Sequence, residues 1–274
     1  MHRRTVFFVS DSTGVTAETL GRSLLTQFDT ANFNQVTLPF VDTIDKADEA
    51  VATINRTAAD EGERPIIFST MVRDDIREHL LPVEGLFLDF FQTFISPLEA
   101  ELGVRSSHAS GKAHGLTNEA QYDERIEATN FALSNDDGAQ IRDYNKADVI
   151  LLGVSRSGKT PTCLYLALSY GVYAANFPLS EDELESGKLP KVLEPYRSKL
   201  YGLTIEPARL QQIRKERRST GRYSTIQQVN YEIRAAEQLF KRCRIDFLDT
   251  THSSIEEIAS SILASTGIER RIRP

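Results

Sequence analysis

The chain has few cysteines, no long apolar run and no surplus of positive charge, and each shortage removes a class of function. Its two cysteines, Cys163 and Cys243, lie far apart and form no CxxC spacing, which leaves a thiolate metal site or a redox pair without support. Both fall within apolar patterns and read as buried thiols. No apolar stretch approaches the roughly 18 residues of a membrane span. Met1-His2-Arg3-Arg4-Thr5 leads into a short strand-like run without the apolar region and cleavage site of a secretory signal. A net charge of −7 argues against general binding to nucleic acid or to an anionic membrane surface. Repeats and low-complexity segments are missing too. The cysteine usage makes a reducing cytoplasm the expected home. Its 274 residues, 40% hydrophobic and 26% charged, suffice for one large domain or two ordinary ones.

What is present alternates. Strand-like runs at Thr5–Ser10, Gln35–Val41 and Pro65–Ser69 are separated by helical patterns over Val15–Phe28, Ile44–Asp60 and Val72–Leu80. This is the pattern of a parallel sheet covered by helices. Leu86–Phe91 reads as a further strand and Pro97–Leu102 as a helical end. Between Gly103 and Gly115 the composition turns to Ser, His, Gly and Lys, an exposed connection. Tyr122, Ile126, Thr129 and Leu133 at helical spacing predict a helix from Asn118, closed by the turn chemistry of Ser134-Asn135-Asp136-Asp137-Gly138. The second half is α/β again, with strands at Asp148–Leu152, Val172–Asn176, Leu200–Ile205 and Arg244–Leu248. Its helices are expected at Pro161–Tyr170, Pro207–Arg218, Thr225–Arg242 and Ser254–Thr266. The predicted organisation is an N-terminal parallel α/β domain (1–105), a connecting segment with a helix (106–145) and a C-terminal P-loop kinase-like α/β domain (146–274).

The stretch Gly153-Val154-Ser155-Arg156-Ser157-Gly158-Lys159-Thr160 matches the phosphate-loop pattern G-x-x-x-x-G-K-[ST] in full. A buried strand enters it and a helix leaves it, with Pro161 in the first helical turn, where a missing N–H costs little. Strand, loop and helix N-terminus in that order aim backbone N–H groups and a helix dipole at an anion. Lys159 adds a point charge for the outer phosphates, and Thr160 offers a hydroxyl to Mg2+. A nucleotide site at Gly153–Thr160 is therefore expected.

Other groups carry more than one reading. Asp249 closes a strand at the edge where ligands bind in such sheets, and either helps hold magnesium or shapes a turn with Thr250 and Thr251. From Arg209 to Arg222 stand six basic residues (Arg209, Arg214, Lys215, Arg217, Arg218, Arg222) against one acid, Glu216. Phosphoryl transfer needs cations over the group in flight, and Arg218 and Arg222, flanking Ser219-Thr220-Gly221, suit a flexible lid; a solvated helix face is the alternative for the rest. In Ser10-Asp11-Ser12-Thr13-Gly14, Ser12 or Thr13 is expected to cap the next helix, with Asp11 as a candidate general base. His108 and His114 read as loop histidines. Asn145-Lys146-Ala147-Asp148 matches a guanine-reading pattern, but Asp148 starts the strand that ends in the loop. At about 3.3 Å per residue it lies roughly 16 Å back, at the opposite sheet edge.

Val149–Ala167 as a whole resembles the bacterial regulatory proteins of phosphoenolpyruvate synthase and pyruvate, phosphate dikinase. So do Ser10–Gly14, Thr37–Val41, His114–Leu116, Tyr122–Ile126, Asp136–Gly138, Gly202–Pro207 and Ile213–Arg218. The regions Asn176–Pro178 and Arg222–Tyr223 look most similar to the phosphoenolpyruvate synthase branch. The resemblance implies a bifunctional serine/threonine kinase and phosphorylase. Such a protein takes ADP as phosphoryl donor to a threonine of phosphoenolpyruvate synthase, inactivating it. It restores the partner by attack of inorganic phosphate, releasing pyrophosphate. The family's nucleotide site carries over onto Gly153–Thr160. In that chemistry Lys159 grips the donor phosphates, Thr160 and Asp249 hold Mg2+, Asp11 takes the threonine proton, and Arg218 or Arg222 offsets transition-state charge. The same chemistry on pyruvate, phosphate dikinase, a small-molecule P-loop kinase and a non-catalytic nucleotide switch are the alternatives. A homo-oligomer stays open.

Overall fold

The computed structural model describes residues 3–28, 31–107, 119–138, 143–217 and 221–272, and the chain divides into two compact units, 1–117 and 118–274. In the first unit the elements are β1 (Arg3–Val9), α1 (Val15–Leu25), β2 (Asn32–Leu38), α2 (Ile44–Glu61), β3 (Ile66–Ser69), α3 (Asp74–Leu80), β4 (Leu86–Asp89) and α4 (Phe90–Leu102). Its four strands are parallel and ordered β2-β1-β3-β4. Both faces of β1 are buried. Phe7 and Val9 point into one apolar cluster with α2 and α3, while Val6 and Phe8 join the other beneath α1. That two-sided burial explains why β1 reads as an unbroken apolar run.

The second unit comprises α5 (Glu119–Ser134), β5 (Val149–Gly153), α6 (Lys159–Tyr170), β6 (Ala174–Pro178), α7 (Glu181–Ser186), a 3-10 stretch (Lys191–Lys199), β7 (Leu200–Thr204), α8 (Pro207–Arg217), α9 (Ile226–Cys243), β8 (Phe247–Asp249) and α10 (Ile255–Thr266). Its sheet, also parallel, runs β6-β5-β7-β8. Ile150 and Leu152 of β5 pack with α8 and α9, and Val149 and Leu151 with α6 and α10. Each unit thus places its first strand between its second and third. In such a sheet the crevice beyond the C-terminal end of that first strand is where ligands bind.

Several expectations shift in detail. The helix read as part of a connecting segment, α5, contributes Ala128 and Ala132 to the core beside α6 and so belongs to the second unit. Neither Ser12 nor Thr13 caps α1: Gly14, at φ +81°, is its N-cap, without a side-chain hydrogen bond. The strand expected to reach Phe91 stops at Asp89, whose carboxylate accepts the Gln92 N–H and starts α4 there. Helix α7 is additional, set by a capping box of Ser180 and Glu183. β8 begins later than Arg244 because that residue, at φ +55°, is the C-cap of α9. Cys163 is buried, its thiol pushed up by desolvation, and Cys243 is partly buried. Among the described residues no helix is long and apolar enough to cross a membrane.

Gly21 lets α1 lie directly on the first sheet, since a Cβ there would stand 2.5 Å from the Phe8 ring and 2.7 Å from that of Phe68. Gly21→Ala should therefore destabilise the protein by about 1–3 kcal/mol through overpacking, despite the better helix propensity of alanine. Chemical denaturation of the full chain measures this; an equal or higher midpoint would mean that α1 can lift off the rings freely.

Candidate active site

Strand β5 delivers its last residue, Gly153, into a space that tolerates no side chain. A Cβ there would lie 2.5 Å from the carbonyl oxygen of Leu203 on β7 and 2.6 Å from Ser157 Oγ. The chain then turns through Arg156 at φ +75° and Gly158 at φ +92°. Gly158 is the N-cap of α6 and offers no side chain, so the first-turn N–H groups of α6 depend on another acceptor. Ser157 is buried and its Oγ has no hydrogen-bond partner among the described residues. A loop with an orphaned hydroxyl and an uncapped helix start suits an oxyanion.

Lys159 is 4% exposed, and its Nζ donates to the carbonyl of Val154 within the same loop at 3.0 Å. Desolvation pushes its pKa down to about 8, opposed by the nearby charges of Asp137 and Asp136. The ammonium is thus held inside the loop without strong compensation. Thr160 Oγ1 donates to Asp136 Oδ1 at 2.8 Å, and Asn176 Nδ2, at the middle of β6, donates to the same oxygen. Asn176 Oδ1 in turn accepts the N–H of Asp137 at 3.0 Å. The carboxylate that meets Thr160 is therefore Asp136, from the turn after α5. Asp249 is engaged elsewhere: its Oδ1 accepts from the N–H and hydroxyl of Thr251. The end of β8 does reach the loop, but through Thr250, whose Oγ1 donates to the carbonyl of Ser157 at 3.2 Å.

The basic segment meets the loop through Arg214, which the sequence does not distinguish from its neighbours. Its side chain is fully buried. Nη2 donates to the carbonyl of Ser155 at 3.1 Å and pairs with Glu232 at 2.6 Å, while Nη1 donates to the carbonyl of Tyr223 at 3.0 Å. The guanidinium lies 4.1 Å from the centroid of the Tyr223 ring, and the Tyr223 hydroxyl is 2.9 Å from Ser155 Oγ. Arg214 and Tyr223 together brace one side of the loop against α8 and α9. Arg222 is exposed and ties to Glu181 at 2.8 Å and to Gln228 at 3.0 Å. Arg218 lies outside the described residues, as do His108 and His114.

Asp11 sits in the first unit, just past the C-terminal end of β1, largely buried, its Oδ2 accepting the N–H of Val72 at 3.4 Å. The guanine-reading match is structural. Asp148 accepts the N–H of Tyr173 at 2.8 Å and pairs with Arg271 Nη2 at 2.8 Å, at the end of β5 away from the loop. Among the described residues no group of three or more His, Cys, Asp or Glu could hold a metal ion. One hydroxyl with one or two carboxylates is instead the donor set used for Mg2+ that keeps waters and phosphate oxygens as its other ligands.

Residues 6–263 match the model of the kinase/pyrophosphorylase family. The chain is 51% identical to a protein of Hahella chejuensis, over 99% of this chain and the whole of the relative. It is 52% identical to one of Stutzerimonas stutzeri and 54% identical to one of Pseudomonas putida, with the same coverage. All three are provisionally named phosphoenolpyruvate synthase regulatory proteins.

Two outcomes follow from this geometry. Arg214→Met should leave Glu232 without its buried partner and cost about 3–5 kcal/mol, with weaker nucleotide binding as the loop loses its brace. Thermal melts and equilibrium titration of ADP read the two effects, and wild-type values for both would remove the bracing role. Affinity for ADP should also fall as pH rises through about 8. Below that value Lys159 is already charged and favours an anion; above it, binding must first protonate the amine, so affinity drops by up to tenfold per pH unit. A flat titration between pH 7 and 9.5 would mean that Lys159 stays protonated throughout.

Proposed function

The chain belongs to the kinase/pyrophosphorylase family, and from that premise we propose that it regulates phosphoenolpyruvate synthase by moving a phosphoryl group onto and off a threonine of that enzyme. The observation that carries the reading is the Gly153–Thr160 loop, with a buried Lys159 and an uncapped α6, at the switch point of the second sheet. The names of the full-length relatives supply the partner.

In the forward direction ADP is the donor. The loop amides and Lys159 hold its phosphates, and the threonine oxygen forms a bond to the β-phosphorus as the bridging oxygen departs with AMP. The threonine proton passes to a general base. Mg2+ bound at Thr160 would supply charge neutralisation for the transferring group. Lys159 matters most as charge builds on the bridging oxygen, because a buried ammonium is worth more there than in water. In the reverse direction an oxygen of inorganic phosphate attacks the phosphothreonine, pyrophosphate leaves, and the threonine oxygen regains a proton. The incoming phosphate is itself an anion for the same cradle of N–H groups.

The test uses the full chain, purified phosphoenolpyruvate synthase and ADP labelled in its β-phosphate. The expected result is label on a partner threonine, released as pyrophosphate on adding inorganic phosphate. Lys159→Ala should lower both rates by a factor of about 100 or more, the range seen when one preorganised charge donor is removed. Turnover of ADP with a small acceptor and no labelled protein would replace this reading with a metabolite kinase.

A further inference from the structure

We propose that Asp136 is the carboxylate that holds magnesium with Thr160 in the nucleotide complex, and that Asn176 is its positioning residue. The inference rests on the nucleotide reading of the loop and adds the metal-binding side chain to it. Three observations converge. Thr160 Oγ1, the hydroxyl that the loop pattern assigns to magnesium, is already bonded to Asp136 Oδ1 at 2.8 Å. Asp136 is partly buried and its Oδ2 takes no hydrogen bond from the described residues. The carboxylate is also pre-oriented: Asn176 Nδ2 donates to Oδ1, while Asn176 itself is 1% exposed and anchored through the N–H of Asp137. An oriented oxygen beside the loop threonine, with a second carboxylate, Asp137, on the next residue, matches the sparse protein ligation of Mg2+.

Asp249 offers the weaker case. Its Oδ1 is taken by Thr251 in an exposed turn, and it ends β8, which β7 separates from β5. Asp136 arrives from a different direction, on the turn that follows α5, with Asn176 N donating to the carbonyl of Asn135 to hold that turn against β6.

The experiment measures ADP binding to the full-length protein by titration calorimetry, with and without Mg2+, and Mn2+ binding to the ADP complex by electron paramagnetic resonance. For wild type, Mg2+ should tighten ADP binding. Asp136→Asn should lose the Mg2+ enhancement relative to its own Mg2+-free affinity for ADP and weaken Mn2+ binding at least tenfold, whereas Asp249→Asn should retain the wild-type enhancement and Mn2+ affinity. If enhancement survives in Asp136→Asn, or vanishes in Asp249→Asn, the assignment falls while the nucleotide site stands. Wild type that fails to bind ADP at all overturns the loop reading and this assignment together. Should Asp136→Asn prove unfolded by circular dichroism, Asp136→Glu decides, because it keeps the charge and moves it by one methylene. A several-fold rise in its Mg2+ midpoint supports the assignment, and an unchanged midpoint overturns it.

Discussion

The burial of one ammonium group organises the second unit. Lys159 is held at 4% exposure on the first turn of α6, with one loop carbonyl as its hydrogen-bond acceptor among the described residues. Taking a cation out of water costs several kcal/mol unless something repays it, and here the repayment is incomplete, as the depressed pKa of about 8 records. Much of the surrounding architecture bears on that position. Gly153 lets β5 approach the Leu203 carbonyl, Arg214 fastens the Ser155 carbonyl from the side, and Thr250 fastens that of Ser157 from the end of β8. With the Ser155 and Ser157 carbonyls engaged from α8 and from the end of β8, the loop is fastened on two sides. On the proposed reading, a bound phosphate would relieve the lysine and meet the uncapped start of α6 in one step. Lys159 is therefore under-compensated at the position where the proposed nucleotide phosphates would lie.

How far this was readable in the sequence depends on the range of the interaction. Strand, loop and helix around Gly153–Thr160 are contiguous, so glycine placement, an apolar run and Pro161 sufficed. Both sheets were legible for the same reason, because strands buried on two faces keep their apolar character without reference to partners. Boundaries moved where a single residue's backbone decided them. Arg244 in the left-handed region delayed β8, and Gly14 in the same region displaced Ser12 and Thr13 as the cap of α1. Asp136 escaped because its partner is 24 residues away, and Ser134–Gly138 has turn chemistry sufficient to account for its composition. The turn is real; its acidic residues also face Thr160 and Lys159. Arg214 was indistinguishable from five basic neighbours by composition, since only tertiary burial singles it out.

Arg214 also shows why the basic segment does not act as one patch. Its charge is spent internally on Glu232 and on two carbonyls, so it contributes rigidity and little field toward a ligand. A buried pair of this kind adds little net stability over an apolar substitute, yet it fixes geometry, since any other arrangement leaves a charge unpaired. Tyr223 extends that fixed geometry by stacking on Arg214 and touching Ser155. The segment that follows α8 is consequently tied to the loop at Tyr223, one residue beyond Arg222. Arg222, exposed and paired to Glu181 at the surface, keeps a charge that a ligand could compete for, because surface pairs are worth little.

On the proposed chemistry this division of labour bears on reversibility. A site that runs phosphoryl transfer from ADP and then accepts inorganic phosphate must bind a diphosphate and a monophosphate with the same donors. On this reading, bracing by Arg214, Tyr223 and Thr250 would hold the loop in place for both reactions. Direction must then be set by which anions occupy the cradle and by the phosphorylation state of the acceptor. A loop that adapted to each ligand would lose this symmetry, because reorganisation would tax one direction more than the other. The close packing of Gly153 against the backbone of β7 leaves that end of the loop no room for a side chain.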